Sequence, residues 1–149
     1  MAEGGNKVVD LNSAYRHKVD AKGRMSLPAS FRKVLSTDLV VTRNPKDECL
    51  YVFEPDAFNA WVAGVFEDKF EKFDRTNDLH VRLRRKLKSR AADVSIDAAG
   101  RIMISAEQRE AVGIDKEVVV VGNTGYFEIW DAKRYDAVDD ETDLGLLFD

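Results

Sequence analysis

The residues best placed for chemistry form a phrase that occurs twice, Val19-Asp20-Ala21-Lys22-Gly23-Arg24 and Ile96-Asp97-Ala98-Ala99-Gly100-Arg101. In each copy a carboxylate precedes a guanidinium by four residues, with a glycine between them that accepts a positive φ. An aspartate at the first position of a type I turn takes backbone N–H bonds, so Asp20 and Gly23 form one turn and Asp97 and Gly100 another. Arg24 and Arg101 then stand just past the two tips, as donors with no acceptor capacity. That equips the phrase to hold an acceptor or an anion rather than to break a bond. His17, Ser26 and Asp20 can be assembled into a triad on paper, but no nucleophile elbow, P-loop or metal motif accompanies them, so no catalytic residue is assigned.

The likeness between the copies runs on at the same offset, Ala29 matching Ala106, Arg32 Arg109, Asp38 Asp115 and Val41 Val118, so the chain reads as a tandem duplication. Alternation of Tyr15, His17 and Val19 before the first turn, and of Met25 and Leu27 after it, predicts a β-hairpin with those residues inward. Arg16, Lys18, Arg24 and Ser26 then point outward, which makes the outer face of the first hairpin basic. His17 reads as core rather than as a ligand. A short helix follows each hairpin, with Pro28 opening one from Ala29 to Leu35. Ser105 to Gln108 forms a capping box for the other, which Gly113 ends. Strands are expected at Leu39 to Thr42 and Leu50 to Phe53, and again at Val118 to Val121 and Tyr126 to Trp130.

Between the copies, apolar residues from Phe58 to Phe73 recur at three and four, predicting a helix from Asp56 to Phe73. A second helix from Asn77 to Ala92 has a narrow stripe, Leu79, Leu83 and Leu87, and six positive charges from Arg82 to Arg90. The expected organisation is a flexible leader (1–13), a first repeat (14–55), a helical insert (56–92), a second repeat (93–135) and an acidic tail (136–149). With 149 residues and 44% hydrophobic content, a core is expected only if the repeats share it, because one small repeat buries too little surface alone.

Met1 to Lys7 is polar and lacks an apolar signal region, so a cytoplasmic protein without membrane contact is expected. A lone Cys49 forms no internal disulfide, and with only two histidines no zinc cluster is expected. No cofactor or small-molecule substrate is suggested. The net charge of −4 disfavours a nucleic-acid partner at first sight, but six of the negatives fall in the last fourteen residues, and without them the remainder carries +2. Local clusters, rather than the total, set the potential a phosphate meets. The tail is expected to be mobile and to compete for the basic surface.

The succession of Tyr15, His17, Val19, Asp20, Lys22-Gly23-Arg24, Leu27-Pro28 and Phe31-Arg32, then Ile96 to Arg101, then Val120-Val121-Gly122 and Phe127 to Asp131, closely resembles the MraZ family over roughly Ala14 to Tyr135. Those are bacterial transcriptional regulators built from two AbrB-like (SpoVT-AbrB) domains. The resemblance implies an α+β, mainly β fold: tandem repeats interlocked as a pseudo-dimeric swapped-hairpin β-barrel carrying the helical hairpin. It implies homo-oligomeric rings, nucleoid-associated, that bind double-stranded DNA at promoter direct repeats upstream of the division and cell-wall gene cluster. Carried over residue by residue, Asp20, Arg24, Asp97 and Arg101 occupy the family's motif positions, and Arg24 and Arg101 become the DNA contacts. An arginine fork suits the N7 and O6 acceptors of guanine, and Lys22 suits a phosphate. Arg16, Lys18 and Lys22 correspond to Asp93, Ser95 and Ala99, so the first hairpin is expected to supply most of the electrostatic affinity. The leader of about ten residues departs from the family's usual opening. Two other readings stay open: a protein-interaction or assembly module, and an RNA-binding regulator that uses the helix from Arg82 to Arg90.

Overall fold

Eight strands alternate with short helices in the computed structural model, which describes residues 8–148. The first repeat holds β1 (Ala14–Lys18), β2 (Arg24–Ser26), α1 (Ala29–Arg32), β3 (Asp38–Arg43), β4 (Leu50–Phe53) and α2 (Pro55–Phe70). After α3 (Asp78–Ser89) the same order returns as β5 (Ala92–Ser95), β6 (Arg101–Met103), α4 (Ala106–Ala111), β7 (Glu117–Gly122), β8 (Phe127–Asp131) and α5 (Ala132–Glu141). A helix follows the last strand of each unit. Glu54-Pro55 after β4 and Asp131-Ala132 after β8 occupy equivalent places, so α2 and α5 begin at matching positions.

Strand pairing departs from the expected hairpins. β1 and β2 are not partners: the backbone bonds that close the turn between them are Asp20 N–H to Arg24 O (3.0 Å) and Gly23 N–H to Asp20 O (2.9 Å). Instead β1 pairs with β7 of the other repeat, Tyr15 opposite Val120, and β5 pairs with β3, Leu39 opposite Val94. One antiparallel sheet results, in the order β1-β7-β8-β4-β3-β5, and β2 pairs with β6 in a separate two-stranded ribbon. Alternation shows which side of a strand is apolar but carries no information on its partner. β1 and β5 remain edges, and among the described residues no ladder joins them into the closed barrel that the resemblance implies.

Both repeats feed one core. Met25, Leu27, Ile102 and Ile104 from the ribbon segments meet Leu39, Val41, Val52, Val118, Val120 and Ile129 from the large sheet, with Phe31 against Phe127 at 5.4 Å between ring centroids. Removing such side chains from water at about 25 cal/mol per Å² dominates the stability. The opposite face of β3 and β4 is covered by α2, where Phe58, Val62 and Phe66 pack on Val40 and Phe53. Burial on both faces is why Leu39-Val40-Val41 is a continuous apolar run instead of an alternating one.

α2 starts with Pro55 at its first turn and ends at Phe70, before the expected Phe73. α3 is capped by Asn77, whose Oδ1 accepts from Leu79 N (2.9 Å) and His80 N (3.2 Å). His80 is buried among Phe66, Phe70 and Phe73, and its Nδ1 accepts from Asp74 N at 3.0 Å. The expected Leu stripe is split: Leu87 packs inward while Leu79 and Leu83 face water. Ala92 opens β5 instead of ending the helix. α1 stops at Arg32, short of the expected Leu35. The capping box at α4 is half formed: Ser105 Oγ accepts from Gln108 N (3.2 Å), but Gln108 Nε2 donates to Val41 O (2.9 Å) across the core.

Both ends of the described chain make defined contacts. Leader residues 1–7 and tail residue Asp149 lie outside the described residues. Leu11, however, is buried in the shared core, with its N–H on Asn123 O at 3.0 Å. The acidic stretch expected to be mobile contains most of α5 and a 3₁₀ turn, Leu144–Leu147. Arg134 fastens α5 by donating from Nη1 to Asp47 O (3.1 Å), Val112 O (3.2 Å) and Glu48 O (3.3 Å).

Candidate nucleic-acid interface

Pairing β2 with β6 sets Arg24 opposite Met103, Met25 opposite Ile102 and Ser26 opposite Arg101. Directly opposed residues share a face, so Met25 and Ile102 enter the core while Arg24, Ser26, Arg101 and Met103 line the outer side. The two motif arginines, 77 positions apart in sequence, thus become diagonal neighbours, about 7–8 Å apart by antiparallel geometry. Symmetric bonds extend the ribbon at each end: Ile104 N–H to Gly23 O at 2.8 Å and Leu27 N–H to Gly100 O at 3.0 Å.

Each turn locks its arginine. Asp20 Oδ1 accepts from Lys22 N and Arg24 N, both at 2.9 Å, and Oδ2 takes Arg24 Nε at 2.8 Å. Asp97 repeats the pattern with Ala99 N, Arg101 N and Arg101 Nε at 2.9, 2.9 and 3.2 Å. The backbone N–H of Arg24, aided by the Arg24 side chain and the N–H of Lys22, holds the Asp20 carboxyl below the usual aspartate range. The backbone N–H of Arg101 does the same for Asp97. The aspartate holds Nε, and among the described residues neither terminal nitrogen of either guanidinium has a hydrogen-bond partner, which leaves those donors unused.

A third interaction crosses between repeats. Gly23 has φ +89° and Gly100 φ +79°, and each is roofed by an arginine from the other repeat. The Arg32 guanidinium fills the space that a Cβ on Gly100 would need, and Arg109, whose Nε donates to Ile104 O at 3.2 Å, lies over Gly23. Each tip therefore carries two guanidiniums, Arg24 with Arg109 and Arg101 with Arg32.

The remaining expected cations are less concentrated. Lys22 is exposed at the first tip. Arg16 and Lys18 are exposed on β1, in the other sheet, rather than beside Arg24 on the ribbon. Arg16 Nη2 is bonded to Asp136 Oδ1 of α5 at 2.6 Å, and Lys18 stands opposite Glu117 in the ladder. Among the described residues no group of three or more His, Cys, Asp or Glu side chains is arranged for a metal, and no helix is long and apolar enough to cross a membrane.

The family model described as "MraZ protein, putative antitoxin-like" matches residues 11–80 and 87–146. The chain belongs to the MraZ family. Similar proteins include the transcriptional regulator MraZ of Ligilactobacillus salivarius, 37% identical over 129 residues that make up 87% of this chain and 86% of that one. The transcriptional regulator MraZ of Saccharopolyspora erythraea is 40% identical, covering 83% and 82%. That of Burkholderia cenocepacia is 39% identical, covering 80% of each.

In this member of the family, sequence reasoning missed Met103, Arg32 and Arg109 at the candidate interface. Equal offset already marked the two arginines as equivalent, and that was the available signal for a shared role. Met103 shares the offset of the outward Ser26, which was the signal for its exposure, whereas its place opposite Arg24 depends on β6 pairing with β2.

Proposed function

We propose that this chain is a DNA-binding transcriptional regulator that reads duplex DNA with the outer face of the β2–β6 ribbon. The observation that carries this reading is the placement of Arg24 and Arg101 on one exposed face, each with Nε held by its own aspartate. A major groove admits a two-stranded ribbon, and the two free terminal nitrogens of each arginine suit a guanine's O6 and N7. The aspartates act by preorganisation, since a guanidinium already fixed loses less freedom on binding. Lys22 faces the phosphates, and Met103 offers an apolar contact to a thymine methyl beside Arg24. Arg16 and Lys18 act at longer range, with Arg16 shared with Asp136.

The targets on this reading are direct repeats upstream of the division and cell-wall gene cluster, including the protein's own gene. The protein works in the cytoplasm at the nucleoid, as a homo-oligomeric ring whose many ribbons add by avidity when repeat spacing matches subunit spacing. The exchange of β1 and β5 between repeats, around a core shared with the ribbon, supports the swapped-hairpin barrel as the frame. No catalytic step, cofactor or small-molecule substrate enters it.

The test is a titration of labelled duplex carrying the repeats with wild type, Arg24→Ala and Arg101→Ala. Losing a bidentate guanine contact costs about 1–3 kcal/mol, roughly a 5- to 160-fold loss in affinity for each variant, with Arg24→Ala the weaker binder because Lys22 sits at its tip. Wild-type affinity falls steeply with salt as counterions are released. Equal, weak binding by all three proteins overturns the proposal.

A further inference from the structure

Two apolar features remain unused by the core and the ribbon, and they complement each other. On α3, Leu79 and Leu83 stand one turn apart at 55% and 40% exposure. Arg82 and Lys86 continue the same face at helical spacing, with Arg85 beside them. Arg84 is occupied over the Phe73 ring, Lys88 with Asn59 and Arg90 with Asp47, and Arg82 pairs with Asp78 at 2.9 Å in the open. Arg85 and Lys86 have no ion-pair partner among the described residues. The second feature is Leu144, Leu146, Leu147 and Phe148, between 67% and 82% exposed, just after Asp139, Asp140, Glu141 and Asp143.

This second segment is preformed. Asp143 Oδ1 accepts from Gly145 N at 2.8 Å, Leu146 N–H reaches Asp143 O at 3.2 Å and Phe148 N–H reaches Gly145 O at 3.0 Å. The turn displays its apolar side chains already ordered, which lowers the entropic cost of docking. An exposed cluster this apolar, rimmed with charge, marks an interaction surface.

We propose that Leu144–Phe148 of one chain docks on the outer face of α3 in a second copy of this chain. Leucines and Phe148 cover Leu79 and Leu83 while the preceding carboxylates meet Arg82, Arg85 and Lys86. Apolar matching alone would accept many partners; the opposite charges at both rims select this one. The two surfaces differ, so the contact is head-to-tail and propagates until it closes. One such contact is far smaller than the roughly 1,200–2,000 Å² of a stable interface, so an isolated pair associates weakly. The proposal bears on the assembly part of the reading above and is independent of the ribbon.

Two variants test it. Leu79→Glu/Leu83→Glu spoils the receiving face and keeps the segment; Leu146→Asp/Phe148→Asp does the reverse. All four side chains are exposed, so both proteins fold, which circular dichroism checks. In sedimentation velocity the wild type is expected to assemble, each variant alone to lose that assembly, and an equimolar mixture, run at a protein concentration high enough to populate a weak single contact, to form a 1:1 complex that weakens at least several-fold between about 0.05 and 0.5 M salt. A monomeric wild type, a variant that assembles as the wild type does, or a mixture with no complex each overturns the docking. Both variants keep Arg24 and Arg101, so their affinity for a duplex with a single repeat reports on the DNA reading separately. Loss of wild-type DNA binding with docking intact would count against the ribbon alone.

Discussion

The first and second turns share a backbone plan and differ in what surrounds it. Both aspartates take two backbone N–H groups and one arginine Nε, and both glycines sit at positive φ beneath an arginine from the other repeat. The first turn, however, is pressed against backbone: a Cβ on Gly23 would run into the Ile104 carbonyl, whereas the atoms nearest to one on Gly100 belong to the movable Arg32 side chain. The ribbon positions that follow differ as well, Ser26 in the first repeat and Met103 in the second, and so do the tips, Lys22 against Ala99. Identical locks thus hold two unlike reading heads. Duplication preserved what positions the arginines and let their neighbours diverge.

The comparison breaks most visibly at the glycines. Alanine at either position costs about 1–2 kcal/mol for left-handed backbone. Gly23→Ala must also displace a carbonyl that accepts a bond from Arg109, so its urea midpoint should fall well below that of Gly100→Ala; equal midpoints would show the tips to be equally tolerant. A smaller effect sharpens the contrast between reading heads. Replacing thymine by uracil in the operator should weaken wild-type binding about fourfold, near 0.8 kcal/mol for one methyl-sized contact, and Met103→Ser should abolish that sensitivity. An unchanged uracil effect would remove Met103 from the interface.

The smallest effect concerns what the turns share. Both aspartates have depressed folded values, so their contribution is complete above the ordinary aspartate value near 3.9 and is lost as pH falls through the lower folded value. The wild-type melting temperature should therefore drop between about pH 5 and pH 3 more than that of Asp20→Asn/Asp97→Asn, whose amide oxygens accept the same N–H groups without titrating. Parallel calorimetric curves for the two proteins would show the carboxylates to be incidental.

The duplicated phrase makes the turns, the strand positions and the two motif arginines legible in the order of residues alone. What stays hidden there is mostly partnership. Met25 and Leu27 alternate in the same way whether β2 pairs with β1 or with β6, and only the second arrangement joins Arg24 to Arg101. The correspondence of the helices that follow β4 and β8 is obscured for two reasons. Phe58 to Phe70 runs on toward a second helix and resembles an insert, while the charge run after Tyr135 resembles a solvated tail although Trp130-Asp131-Ala132 repeats the entry seen at Phe53-Glu54-Pro55. Helical spacing of Leu79, Leu83 and Leu87 identifies α3 but cannot tell that two of the three face water. Arg16 looks free because Asp136, 120 positions away, cannot be seen beside it.

The exchange of β1 into the second repeat has a consequence in time. Its ladder partner Val121 lies about a hundred residues downstream of Ala14. At a synthesis rate of about 5–20 residues per second, β1 emerges roughly 5–20 s before β7 exists to receive it. During that interval an unsatisfied strand edge is offered to any nascent neighbour. Carrying both repeats on one polypeptide answers the hazard by making the eventual closure first-order: the right partner arrives on the same ribosome, at a rate that does not depend on how many copies the cell contains.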